Sequence, residues 1–578
     1  MANTSIYDIV HPAMSRWAQG STDNGMTEKW TDILSKDPTG KHIVMTMEIV
    51  MGGDTIVRVA TQPIEVTSSV TQKKYSYLPI LMDEPSISKS MTVGNAGSVV
   101  RSINIQIPNQ LVDVKSTIAN GYPIAGIGEI SLQVDGGDYE DRYVLIRGST
   151  DDGASFGAQE GEFIQMSVAD PKATADLKLA PYEVDVERWN LPHESAIGNR
   201  YPVILNSFSR VPALLCHYDS TKSPVESRWL VCCGITANIS ATSAVYVNGS
   251  NTHVGSGLAY GYEVKRYADG KGTGVTLVDM TAGVGGGLAS PDPDAAIFVE
   301  VTRTEGKESL VSALTYLLER YTALSAEGIN YRLLGKSEAA LGGLKVSGCI
   351  NGSSGSSGTN TMQYIEGQLL SSFPMVSMVW SNGKYGPVVT DRRNGYTAAS
   401  LSVGQYPLFD RISDVQESPK SACLNSFTLR YAYDALENNY TKSITLDYTN
   451  SALCQLSQTQ AGMRVDSPID SLVIKDDDVA AYVVSWMVDH LSLPSYYVEY
   501  QGAVWMYFNL DVGDNIKLTD EEFGWDAETA TVEKLEYKRG LCTIGLRVWW
   551  RYSDLSGAAS TIFAFGTPTP REIVEPSQ

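Results

Sequence analysis

From Ile103 to Ile107, the stretch RSINIQIPN (residues 101–109) places isoleucine at every second position, with polar Asn104 and Gln106 between. Successive side chains of a strand point to opposite faces, so Ile103, Ile105 and Ile107 share one face. A period of two argues for a strand. HIVMTMEIV (42–50) repeats the pattern, alternating Val44, Thr46 and Glu48 against Met45, Met47 and Ile49. GEISLQV (128–134) and RYVLIRG (142–148) flank an acidic loop, DGGDYED, which predicts a hairpin, and GEFIQMSV (161–168) follows. Short strands separated by turn signals predict a barrel or sandwich rather than a parallel sheet. The expected fold class is mainly β with a few helices, in several domains.

The helices come later. KESLVSALTYLLERY (307–321) places Leu310, Leu314, Leu317, Leu318 and Tyr321 on one stripe. KDDDVAAYVVSWMVDHLSLP (475–494) predicts a helix capped by Asp476–Asp478 and ended by Pro494, with Val479, Tyr482, Val483, Trp486 and Met487 as its stripe. TMQYIEGQLLSSFP (361–374) predicts a shorter helix, followed by a hairpin turning at Asn382-Gly383. The later helix precedes SYYVEY, Gln501-Gly502 and AVWMYFNL, which reads as a second helix-and-hairpin module. Gly-rich 269–294 and 351–360 read as flexible loops or rims, and 566–578 as an extended tail.

At 578 residues the chain has room for three or four domains of ~150 residues. No apolar run approaches the length of a bilayer-spanning helix. The N-terminus has no basic region followed by an apolar one, so synthesis in a cytoplasm without a secretory signal is expected. Acidic residues outnumber basic ones 66 to 44, for a net charge of −22. That balance disfavours a surface that binds nucleic acid, which needs clustered Lys and Arg.

Chemical motifs are lacking. The seven cysteines form no CxxC pair, and neighbouring Cys232 and Cys233 point to opposite faces of a strand, so buried thiols are expected. GINYRLLGKS (328–337) has the wrong glycine spacing for a phosphate loop, and His193-Glu194 lacks the second histidine of a zinc motif. Asp135, Asp138, Glu140 and Asp141 lack the spacing of a calcium loop and read as an acidic hairpin tip. The expectation is a chain with no catalytic residue, no metal and no cofactor.

The most distinctive segment, GNRYPVILNSFSRVPAL (198–214), carries no acid, histidine or cysteine. Pro202 and Pro212 fix φ and bias Tyr201 and Val211 toward extended backbone. It reads either as a rigid crossover or protected sheet edge, or as a plain buried strand between turns.

The order of segments carries a resemblance. YLPIL (77–81) lies in a β-rich N-terminal region; Trp189 and GNRYPVILNSFSRVPAL follow. Much later come a solvated helix, Pro494, LDVGDNIKLTD (510–520), and a Gly540 hairpin leading to GLRVWWRY. Over roughly residues 40–550 this resembles the central hub proteins at the tip of phage tails, the baseplate hubs of contractile tails. The resemblance implies a homotrimer in which two domains per chain copy the tail-tube β-barrel, giving a pseudo-sixfold ring that adapts a hexameric tube to a threefold tip. It divides the chain into an N-terminal arm (1–40), a tube-like β-barrel hub domain (41–190), a second β-rich hub domain with the Gly-rich loop (191–305) and an α+β hub domain (306–450). A helix-hairpin and second barrel-like domain (451–555) and an extended C-terminal tail (556–578) complete it. Implied partners are the distal tail ring protein, the tape-measure protein and other tail-tip or fibre proteins, with DNA passing through the lumen unbound. The implied location is the distal tip of the virion tail. Glu48, Asp135 and Asp138 are the acids expected to line that lumen. The competing reading, from 31 Tyr and 10 Trp and long loops, is a phage receptor-binding or carbohydrate-binding tail protein or depolymerase.

Overall fold

The structure, a computed structural model, describes Trp30, Ile33, Ile573, Val574 and residues 43–549, apart from 52–54, 82–84, 95–96, 98–100, 109–110, 112–125, 150–153, 157–162, 180–181, 241–243, 249–258, 351–359, 394–396, 405–408, 466, 509 and 539. All of the expected loop 351–360 but Asn360, and most of the expected arm and tail, lie outside the described residues. Where described, the arm is anchored: Trp30 is buried, its ring 5.4 Å from that of Phe508. Ile573–Val574 of the tail pairs with Ser443–Ile444.

The first large sheet is antiparallel. It uses β1 (Ile43–Met51), β2 (Thr55–Ala60), β6 (Ser102–Pro108), β7 (Ile127–Val134), β8 (Tyr143–Ser149) and β10 (Phe163–Ala169) in the order β2-β1-β7-β8-β10-β6. β9 (Ala154–Phe156) adds to β10, while β3 (Ile64–Thr67) and β4 (Lys74–Tyr77) form a separate hairpin. β6 keeps its alternation, isoleucines buried and polar residues exposed. β1 does not. Both of its faces are covered, because Val44 joins Ile64, Val66, Tyr77 and Tyr139 in a small second core.

The second large sheet is built from the other end of the chain. Ala399–Ser402 pairs in parallel with Asn515–Asp520, and antiparallel Trp525–Lys538, Leu541–Trp549, Ser495–Ala503 and Phe409–Arg411 follow. Its strands come from both sides of residue 450. β5 (Ile87–Ser90), an N-terminal strand, pairs with the second half of Trp525–Lys538. The two large sheets share one apolar core, in which Ile105, Ile130 and Leu145 join Tyr500, Leu518 and Ile544. The chain is thus mainly β and built of several sheets.

The segment 198–214 feeds three sheets in turn. Val203–Leu205 pairs with Gly348–Ile350, Phe208–Pro212 with Ile297–Val301, and Leu214–Asp219 with Glu226–Cys233. Val203 and Leu205 enter the core that holds the helices, while Ile204, Phe208 and Val211 enter a different one. It is a crossover with a core on each side. Cys232 and Cys233 divide between the same two cores.

Helix Leu310–Tyr321 opens on a capping box between Ser309 and Ser312, and helix Asp477–Leu491 on Asp476, which accepts the Asp478 N–H. The latter is buried nearly all round, Asp489 and His490 included, so the expectation of a solvated helix is corrected. Residues 361–372 are helical, as an α turn, a wider turn and a 3₁₀ turn.

Two further expectations fail. Gln501-Gly502 is no turn: Ser495–Ala503 runs through it, and Gly502 pairs with Cys542 on one side and Phe409 on the other. The second helix-and-hairpin module therefore does not form. Within 269–294, Gly274–Asp279 is a central strand whose residues from Val275 onward are buried. The glycines beside it serve close approach, since a Cβ on Gly287 would lie 1.9 Å from the Gly261 nitrogen.

Candidate functional site at the junction of the two large sheets

β5 belongs in sequence to the first half and in pairing to the second sheet, so its one charged residue, Lys89, is carried inside. A buried ammonium needs a counterion and donated hydrogen bonds. Lys89 Nζ lies 3.3 Å from Asp511 Oδ1 and donates to Ser381 Oγ at 3.2 Å and Asn382 Oδ1 at 3.3 Å. Ser381 and Asn382 sit where strands Val376–Ser381 and Lys384–Val389 turn. Asn382 and Gly383 both have positive φ, 54° and 70°, as the expected two-residue turn requires. Gly383 presses on the first sheet, where a Cβ would meet that of Arg147 at 2.7 Å.

Asp511 collects the other charges. It accepts from the Ser381 hydroxyl and from Arg332 Nη2 at 3.3 Å; Arg332 lies on helix Tyr331–Leu341. One helical turn on, Lys336 reaches Asp514 at 3.1 Å, and Asp514 accepts the Asp511 N–H at 2.9 Å. Burial opposes the charge on Asp511, yet Lys89, Ser381 and Arg332 outweigh it and hold its carboxyl below the usual range. Asp514 goes the other way: burial raises it, and Lys336 only partly compensates. Gly335 and Lys336 lie inside a helix, so GINYRLLGKS forms no phosphate cradle.

Three more buried ion pairs, two of them sharing Glu129, stiffen the first sheet. Glu129 accepts from Arg142 Nε at 2.6 Å and Arg147 Nε at 2.7 Å. Arg101 grips Asp170 with two nitrogens at 2.8 Å. Chemically this network ties sheets, a hairpin and a helix into one rigid junction. It presents no activated nucleophile. The seven cysteines are thiols outside any disulfide, and burial raises the pKa of each. Among the described residues, no three His, Cys, Asp or Glu side chains gather as a metal site.

Of the three acids expected to face a lumen, Glu48 is corrected. It is 3% exposed, bonded to Arg58 at 2.9 Å and to the hydroxyls of Tyr77 and Tyr139. The β3–β4 hairpin covers it. Asp135 is exposed and Asp138 half-buried at the β7–β8 hairpin tip. The junction residues were missed because Lys89 and Asp511 are too far apart in sequence for any spacing rule to link them.

No protein-family model matches the chain, and no curated protein matches it. Among solved structures it is similar to the 43 kDa tail protein of prophage MuSo2 from Shewanella oneidensis, with 10% identity and a TM-score of 0.36 over 87% of this chain and 98% of that one. It is also similar to a chain of the native gene transfer agent virion, with 13% identity and a TM-score of 0.16 over 47% of this chain and 84% of that one.

Proposed function

We propose that this chain is a structural virion protein, the trimeric central hub of a bacteriophage tail tip or baseplate, acting without catalysis. The observation that supports the reading is the occurrence of two large, mostly antiparallel sheets, one mainly from each half of the chain, fused into a single core. Three such chains set six sheets around an axis, which is the geometry that joins a sixfold tube to a threefold tip. The ring encloses the DNA exit channel and meets the distal tail ring and tape-measure proteins. The ionic junction at Asp511 suits this role, since a ring under load needs its two sheets held in fixed relation.

Gold-labelled antibody against the chain, viewed on intact virions, is expected to mark the distal tail tip. Label along the tail shaft or on the head would sink the reading. Light scattering on the purified protein is expected to give three times the mass of one chain. Interfaces in such an obligate assembly bury on the order of 2,000 Å² or more.

A further inference from the structure

β5 of the second sheet, the start of β6 of the first, and the hairpin strand Val376–Ser381 line one cleft of about 180 Å³. The chain carries 66 acids against 44 bases, yet no Asp or Glu among the described residues lines this cleft. Its two charged residues are both cations, Lys89 and Arg101. Their counterions, Asp511 and Asp170, are fully buried and form no part of its wall. At the rim Ser86 donates to Glu536, whose charge Lys534 meets at 2.9 Å. In a chain of net charge −22, the wall of this cleft is positive.

The wall also offers more donors than the protein satisfies. A guanidinium has five N–H groups. Arg101 uses three of them, on the two Asp170 oxygens and the Leu145 carbonyl, each at 2.8 Å, and two are left. Trp380 is 2% exposed, and its indole N–H meets no acceptor among the described residues. A buried donor without a partner is costly, and an ion is one of the groups that satisfies it. Strand phase adds backbone donors, because alternate residues of an antiparallel strand bond toward and away from their partner. The Asp170 N–H donates to the Arg101 carbonyl, so Arg101 bonds inward and Ser102 turns its N–H outward. The Met91 N–H donates to the Glu533 carbonyl, so Ser88 and Ser90 likewise face outward on β5. The side chains of these three serines are exposed and line the same cleft.

We infer that this cleft binds a small tetrahedral oxyanion of the phosphate class between the two large sheets. Its donors come from three elements and so from several sides. A tetrahedral anion presents acceptor oxygens all round, whereas a carboxylate presents them at one end only. A free ion fits better than a nucleic-acid backbone, which needs a run of Lys and Arg rather than one recess holding two cations. Charge-assisted bonds to Arg101 and the Trp380 N–H would tie β5, β6 and the hairpin together. Binding to the folded chain alone also stabilises it by mass action.

Inorganic phosphate is the probe, titrated calorimetrically into the full-length protein at fixed ionic strength, with acetate as the comparison. One saturable phosphate site per chain is expected, with acetate binding more weakly. Trp380→Phe keeps an aromatic ring and removes the N–H, and is expected to weaken phosphate binding by about tenfold or more. Ser102→Asp sets a carboxylate at an exposed position of the wall and is expected to abolish binding. Circular dichroism checks that each variant is folded; should Trp380→Phe fail to fold, Ser102→Asp decides alone. Absence of saturable phosphate binding in the wild type would overturn the proposal. So would binding that the folded variants retain at wild-type strength, which would mark an adventitious ion only. Acetate bound as tightly as phosphate would overturn the tetrahedral class.

Discussion

Glu129 shows what a single buried charge contributes. It is 1% exposed and lies between Arg142 and Arg147, which have no room to turn toward water. Glu129→Ala leaves two buried guanidinium groups without their carboxylate, which costs about 3–5 kcal/mol. Urea denaturation measures it, and Glu65→Ala, which breaks the exposed Lys74 pair, is the control expected to change little. His490 makes the parallel case for pH. Its ring stacks on Trp486 at 4.5 Å, Nδ1 donates to the Trp486 carbonyl at 3.0 Å, and Nε2 accepts the Arg392 N–H at 3.1 Å. Arg392, Asp391 and Asp489 are the charged groups facing it, and burial dominates them, lowering its pKa to about 4. The unfolded chain takes up a proton near ~6.5 that the folded chain refuses, so this group's contribution is complete above that pH and is lost as pH falls toward 4. His490→Gln is expected to flatten the fall in urea midpoint between about pH 7 and 5 relative to wild type. The arginines of Glu129 and the burial that dominates His490 are not written in the residues beside them. Strand pairing brings Arg142 and Arg147 to Glu129, and folding seals His490 from water beyond its helical neighbours Trp486 and Asp489.

Elements were legible where local chemistry decides and illegible where pairing decides. Asn382-Gly383 forms the expected turn because both residues accept positive φ, and the helix cap at Asp476 lies where the sequence places it. Gln501-Gly502 misled because a glycine marks a turn only when nothing pairs on its flanks; here strands pair on both. The alternation in β1 predicted one wet face, and a hairpin contributed from 64–77 dries it. The Asn382-Gly383 turn also carries a prediction. Gly383 combines a φ of +70° with a Cβ position 2.7 Å from Arg147 Cβ. Gly383→Ala meets both the left-handed backbone cost and a clash against a packed strand, so a loss of about 1–3 kcal/mol is expected. Gly404→Ala, at φ +76° with open space around it, isolates the backbone part. Thermal melts of the two separate strain from contact, and equal losses would show that the turn does not press on the first sheet.

At the scale of the whole molecule, the charge of −22 is legible from composition but its placement is not, and the burial of Glu48 shows why. Acids that serve internal pairs are unavailable to a channel wall. Under the hub reading, exposed Asp135 and half-buried Asp138 at the hairpin tip are the acids expected to face a channel. Duplex DNA carries one negative charge per ~1.7 Å of axis, and clustered Lys or Arg holds it by releasing counterions. Like charge keeps it off the wall, and screening limits the effect to ~8–10 Å at physiological salt, so only acids beside the path contribute. Under the hub reading, a phage carrying Asp135→Lys and Asp138→Lys is expected to assemble normal tails and to release its DNA more slowly, with the delay shrinking as salt is raised. Time-resolved DNA release from purified virions, measured at two ionic strengths, checks it. If the acids serve only to keep a large virion protein soluble, release keeps its wild-type rate at both salt concentrations and the variant protein instead loses solubility.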